Sequence, residues 1–291
     1  MSGLKIVVLA KQVPDTRNVG KDAMKADGTV NRAALEAIFN PEDLNALEQA
    51  LRLKDRISGT TITMLTMGPI RASEIIREGL YRGADNGYLL TDRAFAGSDT
   101  LATSYAISKA IEKIGKFDII IAGRQAIDGD TAQVGPQVAE KLGLPQITYA
   151  EEIIDVKGKE IIVKRRLERG VETVRGTLPL VVTVTGSAAE CRPRNAKFTM
   201  KYKHARSTSE LQNATEDFMQ LYNSRPYLKL SELSVNDVDV DHEQLGLNGS
   251  PTKVKEIENV VLQAKESKVI GNNDQEIEEM IVELIKNHTI G

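Results

Sequence analysis

The sequence predicts an α/β fold: a mostly parallel sheet with an antiparallel extension, followed by a C-terminal helical arm. Two observations carry the sheet. Short β-branched or apolar runs at 5–10, 61–66, 87–90 and 117–122 alternate with segments of helical period, which is the βαβα pattern of a parallel sheet. After Pro145 the runs shorten and turn signals separate them, as in hairpins. A third observation carries the arm: residues 1–206 hold 31 Lys and Arg against 25 Asp and Glu, and residues 207–291 hold 7 against 16. A change of sign on this scale predicts a unit 1–206 and a separate unit 207–291.

Each element has a local cause. The run 5–10 is the first strand. Asn40-Pro41-Glu42-Asp43 then provides a cap residue, a proline in the first turn and two acids at the positive end of a helix, and Leu44, Leu47 and Leu51 share one face of it. The runs 61–66, 87–90 and 118–122 are the next strands. A helix opened by Ser98-Asp99 carries Ile107, Ala110, Ile111 and Ile114 on one face, and another carries Val134, Val138 and Leu142. Residues 152–156, 160–165, 171–175 and 180–185 read as strands that extend the sheet with antiparallel members, with Lys157-Gly158 as a turn. No period is visible over 186–206. Arg192, Arg194, Lys197, Lys201, Lys203 and Arg206 make that stretch basic, so it reads as a long exposed loop. Two amphipathic patterns close the chain, one with Ile257, Val260, Val261 and Ala264 and one with Ile277, Met280, Ile281, Leu284 and Ile285. Their apolar faces ask for a partner subunit.

Composition narrows the chemistry. With 291 residues, 41% hydrophobic and 27% charged, the chain has the make-up of a soluble globular protein. The apolar run 6–10 is far shorter than the ~20 residues that a spanning helix requires, and it lacks the flanks of a secretory signal, so a cytoplasmic location is expected. One cysteine, Cys191, excludes an internal disulfide framework. His204, His242 and His288 are scattered and suggest no metal cluster. No histidine stands near a serine or cysteine in a nucleophilic arrangement, so redox chemistry here would be carried by a cofactor. The acidic tail and the lack of aromatic interleaving argue against nucleic acid as a partner of the basic stretch.

The candidate site is the carboxyl edge of the sheet, where open parallel sheets bind ligands. Its loops are Leu9-Ala10-Lys11-Gln12, Met67-Gly68-Pro69, the string Thr91-Asp92-Arg93-Ala94-Phe95-Ala96-Gly97-Ser98-Asp99-Thr100, and residues 123–134. In the last, a turn on Asp128-Gly129 asks for a left-handed backbone at Gly129, and Asp130 with Gln133 three residues on reads as a capping box. Amides and a helix N-terminus would then converge on one point, a place that attracts phosphate. Arg93 and Arg124 either neutralise that phosphate or are solvated loop arginines. Neither G-x-x-x-x-G-K-[ST] nor G-x-G-x-x-G after the first strand is present, so kinase-like and ordinary dinucleotide-fold readings lose support.

Four strings resemble the β subunit of electron transfer flavoproteins. They are Gly-Arg-Gln-Ala-Ile-Asp-Gly-Asp-Thr at 123–131, the start Lys11-Gln12-Val13-Pro14-Asp15, the Asn40-Pro41 helix opening, and the block from Lys164-Arg165 through Glu172 to Leu178-Pro179-Leu180-Val181-Val182-Thr183. The resemblance covers residues 1–206. It implies a Rossmann-like α/β domain whose C-terminal arm packs on an α subunit. It also implies a nucleotide contacted by Leu9, Ala10, Asp15, Asn40, Met67, Gly123, Arg124, Gln125, Ala126, Asp128, Gly129, Asp130, Thr131, Gln133 and Val134. The 91–100 string, together with residues 128–131, looks like the electron-bifurcating type. There the nucleotide is FAD, with the loop from Thr91 to Thr100 over its ribityl chain and diphosphate. NADH is the electron donor, one electron passes through an α-subunit FAD to a dehydrogenase of acyl-CoA or 2-hydroxy acid type, and one goes to ferredoxin or flavodoxin. In simpler members the nucleotide is AMP. The stretch 191–206 stands where the family places its partner-recognition loop, with Arg194, Phe198 and Met200 as docking candidates. A stand-alone adenine-nucleotide-binding protein is the remaining alternative.

Overall fold

Four strands follow the βαβα order that the periodicity predicts. A computed structural model describes residues 3–15, 36–212, 216–252, 269–287 and 290. Strand β1 (Lys5–Leu9) leads through a short antiparallel pair, β2 (Gln12–Pro14) and β3 (Ala37–Phe39), into helix α1 (Pro41–Arg56). Then come β4 (Thr61–Met67), α2 (Ser73–Arg82), β5 (Asn86–Leu90), α3 (Thr100–Ile114), β6 (Ile119–Gly123) and α4 (Val134–Lys141). Next, β7 (Gln146–Lys157), β8 (Glu160–Leu167) and β9 (Gly170–Thr177) form an antiparallel meander, and β10 (Leu180–Val184) returns to the parallel core.

The strand order is β11-β12-β5-β4-β1-β6-β10-β7-β8-β9, where β11 is Arg206–Ser207 and β12 is Lys229–Leu233. From β1 the chain moves outward to β4 and β5 and then crosses back to place β6 on the other side of β1. The order therefore reverses between β1 and β6, and their carboxyl ends flank the crevice that such a reversal opens. Side chains alternate across the strands as their period requires. Ile6, Val8, Ile62, Met64, Ile119 and Ile121 face α1 and α2, packing with Leu47, Leu51, Ile76 and Leu80. Val7, Leu9, Leu65, Ile120 and Val181 face α3 and α4, packing with Ala106, Ala110, Ile111 and Val138. Strands buried on both faces lack polar alternation, which is why they read as continuous apolar runs.

Two expectations are corrected. The charge change near residue 206 is not a structural boundary: β12 pairs parallel with β5, Leu228, Leu230 and Tyr222 are buried in the core, and the first compact unit runs to Lys255. Asp237, Asp239, Asp241 and Glu243 are exposed while Leu228, Leu230, Leu233 and Leu245 are buried, so composition changes and the sheet does not. The stretch 186–206 is likewise more than a loop. Asn195 caps α5 (Ala196–Tyr202) by accepting from the amides of Lys197 and Phe198. Arg192 is bound to Glu48 and Asp55, and Arg194 to Glu78, so part of the basic charge is neutralised by α1 and α2.

The second unit, 256–291, contains α6's successor α7 (Asp274–Lys286), where α6 is Glu216–Ser224 of the first unit. Asn273 caps α7 at the amide of Glu276, and Ile277, Ile281 and Ile285 are exposed on it. The pattern around Ile257 to Ala264, and His288, lie outside the described residues. No helix among the described residues is long and apolar enough to cross a membrane.

Leu230 tests the extension of the core past residue 206. Truncation to alanine should cost about 2–4 kcal/mol in urea unfolding, as for a buried leucine; a change below about 0.5 kcal/mol, typical of surface sites, would place β12 outside the core.

Candidate nucleotide site

The site is built from the first turn of α1. Asn40, expected to cap that helix, makes no capping hydrogen bond. Its amide nitrogen Nδ2 donates to the carbonyl of Gln125 (2.9 Å) and its Oδ1 accepts from the amide of Ile127 (3.2 Å). Glu42 accepts from the amide of Gln125 (2.9 Å) and pairs with the Arg124 guanidinium (3.2 Å). Asp43 reaches two strand ends at once: Oδ2 accepts from the amide of Lys11 after β1 (2.8 Å) and Oδ1 from the amide of Gly123 at the end of β6 (3.1 Å). A Cβ on Gly123 would lie 2.3 Å from Asp43 Oδ1, so only glycine admits this approach. Burial drives the Asp43 carboxyl up from 3.8 to about 7, against the hydrogen bonds from Lys11, Asn40 and Gly123 that favour its ionised form.

The loop after β6 then folds over the crevice. The amides of Gly129 and Asp130 both donate to the carbonyl of Ala126, closing the turn. The left-handed residues are Asp130 (φ 49°) and Ala132 (φ 52°), and Gly129 is not among them. The expected capping box does not form: Asp130 accepts from Gln125 Nε2 (2.8 Å), and Gln133 Oε1 accepts from the Thr100 hydroxyl (2.7 Å). Gln133 thereby ties the fourth loop to the third. Asp128 is held by Lys11 Nζ at 2.7 Å. The predicted cap at Ser98-Asp99 does form, with Asp99 accepting from the amides of Leu101 and Ala102.

Between these walls lies a cavity of about 390 Å³, within the usual range of small-molecule sites. Leu9, Ala10, Met67, Phe95, Gly97, Ser98, Asp99 and Thr100 line it from one side. Gly123, Arg124, Gln125, Ala126, Gly129, Asp130, Thr131, Gln133 and Val134 line it from the other. Asn40 and Asp128 stand behind the wall and hold it, as their hydrogen bonds show. Thr91, Asp92, Arg93 and Ala96 line a second cavity of about 800 Å³ that shares Met67 and Phe95 with the first. Ala94 packs in the apolar cluster, and Asp15 is buried, its amide donating to the carbonyl of Glu36 beside the β2–β3 pair. Arg194, Phe198 and Met200 belong to the α5 region. There Phe198 is half-buried against the core and Met200 is 64% exposed.

Lys11, Asp43, Leu65, Thr103, Ile107, Ala122, Ala132 and Gly135 also line the first cavity. Leu65, Ile107 and Ala122 read as core and are core residues whose last atoms reach the cavity floor. Asp43 reads as an acid in a helix first turn, and local spacing cannot show that its carboxylate is spent on two distant strands. The site has an apolar floor, a polar rim, loop amides and a helix N-terminus, which suits an anionic nucleotide. Among the described residues no group of histidine, cysteine, aspartate and glutamate can hold a metal ion.

Asp43 gives a signed pH test. Its native pKa is above its unfolded value, so between about pH 4 and 7 the native state binds the extra proton and the contribution of Asp43 to stability falls as pH rises. Asp43→Asn should remove that slope, measured as the difference in urea unfolding free energy between pH 5 and pH 8. Equal slopes in the two proteins would contradict the assignment.

A family model described as the electron transfer flavoprotein domain matches residues 27–208. Over 287 residues the chain is 39% identical to electron transfer flavoprotein subunit beta of Thermoanaerobacterium thermosaccharolyticum, covering 99% of this chain and 100% of that protein. It is 44% identical over 260 residues to the subunit of the same name from Megasphaera elsdenii, covering 87% of each. The acryloyl-CoA reductase electron transfer subunit gamma of Anaerotignum propionicum is 40% identical over 290 residues, covering 99% of this chain and 100% of that protein. The chain belongs to the electron transfer flavoprotein family, as a β subunit.

Proposed function

We propose that this β subunit binds FAD at the β1–β6 crevice and, with an α subunit, takes electrons from NADH and passes them separately to an acyl-CoA-type dehydrogenase and to ferredoxin or flavodoxin. One observation carries the choice of FAD: the 390 Å³ cavity and the 800 Å³ cavity share the Met67–Phe95 wall on one sheet edge. A mononucleotide fits the first alone, whereas a dinucleotide needs further room in line with it. Bound FAD would supply hydride acceptance from NADH and one-electron delivery.

The chain's own part is to bind and orient. With the first amides of α3 held by Asp99, it is the end of the loop after β6 and the uncapped start of α4 that offer amides and a helix end to a diphosphate. Leu65, Ile107 and Ala122 exclude water from the floor of the first cavity. Arg93 lines the second cavity and brings positive charge there, while Arg124 is already committed to Glu42. The name of the Anaerotignum propionicum relative, an electron transfer subunit of an acyl-CoA reductase, supports an acyl-CoA dehydrogenase over a 2-hydroxy acid enzyme as partner. The exposed row Ile277, Ile281 and Ile285 on α7 suits packing on the α subunit. Met200, exposed beside Lys197 and Lys201, suits docking of the dehydrogenase.

A second reading, with AMP in the first cavity and no NADH chemistry, is favoured by the size of that cavity taken alone. The purified αβ heterodimer distinguishes the two. The proposal predicts two FAD per heterodimer and NADH oxidation that depends on ferredoxin or flavodoxin together with the dehydrogenase and its substrate. One FAD and one AMP per heterodimer would establish the second reading and overturn the first.

A further inference from the structure

The outer side of the third loop is covered by a segment from the far end of the first unit. Gly246, with φ 56°, approaches so closely that a Cβ there would lie 2.5 Å from the Ala94 carbonyl oxygen, and a Cβ on Gly97 would lie 2.6 Å from Leu247 Cγ. Residues 246–252 therefore form a strap against a loop whose inner side lines the cavity. Two hydroxyls of the strap engage Asp99. The buried Ser250 hydroxyl donates to the Gly246 carbonyl (2.6 Å) and accepts from the Asp99 amide (2.8 Å). Thr252 donates to Asp99 Oδ2 through both its hydroxyl (2.7 Å) and its amide (3.1 Å).

Asp99 needs such restraint. It is an acid on the wall of a cavity suited to an anionic ligand. Burial works to raise its pKa, but the hydrogen bonds from Thr252, Ala102 and Leu101 prevail and hold it below the ordinary aspartate value, so it is ionised at neutral pH. Its Oδ1 is occupied by the amides of Leu101 and Ala102 at the positive end of α3. The strap occupies Oδ2, so neither oxygen is left to swing toward the cavity and meet a phosphate of like charge.

We propose that Ser250 and Thr252 are positioning residues of the nucleotide site: Ser250 anchors the Asp99 backbone and Thr252 holds its carboxylate against the α3 amides, so that the cavity accepts a phosphate beside an acid. This rests on the reading of the cavity as a nucleotide site, of which it specifies the anion tolerance. It also places residues downstream of the matched family domain, which ends at residue 208, in the construction of the site.

The test is calorimetric titration of the full-length chain, stripped of bound nucleotide, with AMP and separately with adenosine, which has the same base and sugar but no phosphate. The double variant Ser250→Ala/Thr252→Val should bind AMP about tenfold more weakly, a step of one decade in Kd, with adenosine affinity unchanged. The single variants Thr252→Val and Thr252→Ser guard against a folding defect: the valine, which keeps the shape and loses the hydroxyl, should weaken AMP selectively, and the serine should retain wild-type affinity. Unchanged AMP affinity in the valine variants, or equal weakening of AMP and adenosine, would overturn the assignment. Failure of the wild type to bind either compound would instead overturn the nucleotide reading beneath it.

Discussion

The first turn of α1 spends three polar side chains on backbone groups of other elements. Asn40 and Glu42 hold the peptides of residues 125–127, and Asp43 joins the end of β1 to the end of β6. These strands flank the point where the sheet order reverses, so their carboxyl ends would otherwise diverge into two unrelated loops. One carboxylate spans them. Everything in the first cavity depends on that span, because the loop after β6 takes its direction from Gly123 and its turn from the peptides that Asn40 and Glu42 hold.

Such a clamp is costly in isolation. A buried carboxylate without compensation loses its hydration, and the elevated pKa of Asp43 records that loss. What offsets it is the convergence of two strand-end amides and an asparagine amide on one side chain at the positive end of a helix. The same economy recurs on the opposite wall. Asp99 caps α3 and accepts from the strap, so each acid near the cavity is saturated by amides and hydroxyls. Asp128 and Asp130 follow suit, held by Lys11 and Gln125. Acids thus serve as anchors, and backbone groups are left to face an anionic ligand.

Much of this was legible in sequence because its causes are local. The parallel core shows itself in apolar runs alternating with helical periods, the α1 opening in Asn40-Pro41 with two following acids, and the α3 cap in Ser98-Asp99. What escaped is what depends on distant partners. Asn40 leaves its capping position for a loop 85 residues away. Gln133 completes no capping box because Thr100 draws its side chain across the cavity. β12 carries few apolar residues, and only its pairing with β5 shows that they are core. Thr252 reads as a tail residue and holds a wall residue, Asp99, 153 positions away.

On the proposed function, the nucleotide binds in the crevice between β1 and β6 that the α1 turn sets. Amide hydrogen exchange on the full-length chain, with and without FAD, tests this most directly, because it reports on the backbone groups said to face the ligand. Exchange should slow at residues 9–12, 97–103 and 123–135 and remain unchanged at the opposite edge of the sheet, residues 61–63, 86–88 and 114–117. Protection confined to that opposite edge, or absent from the loop after β6, would contradict the account.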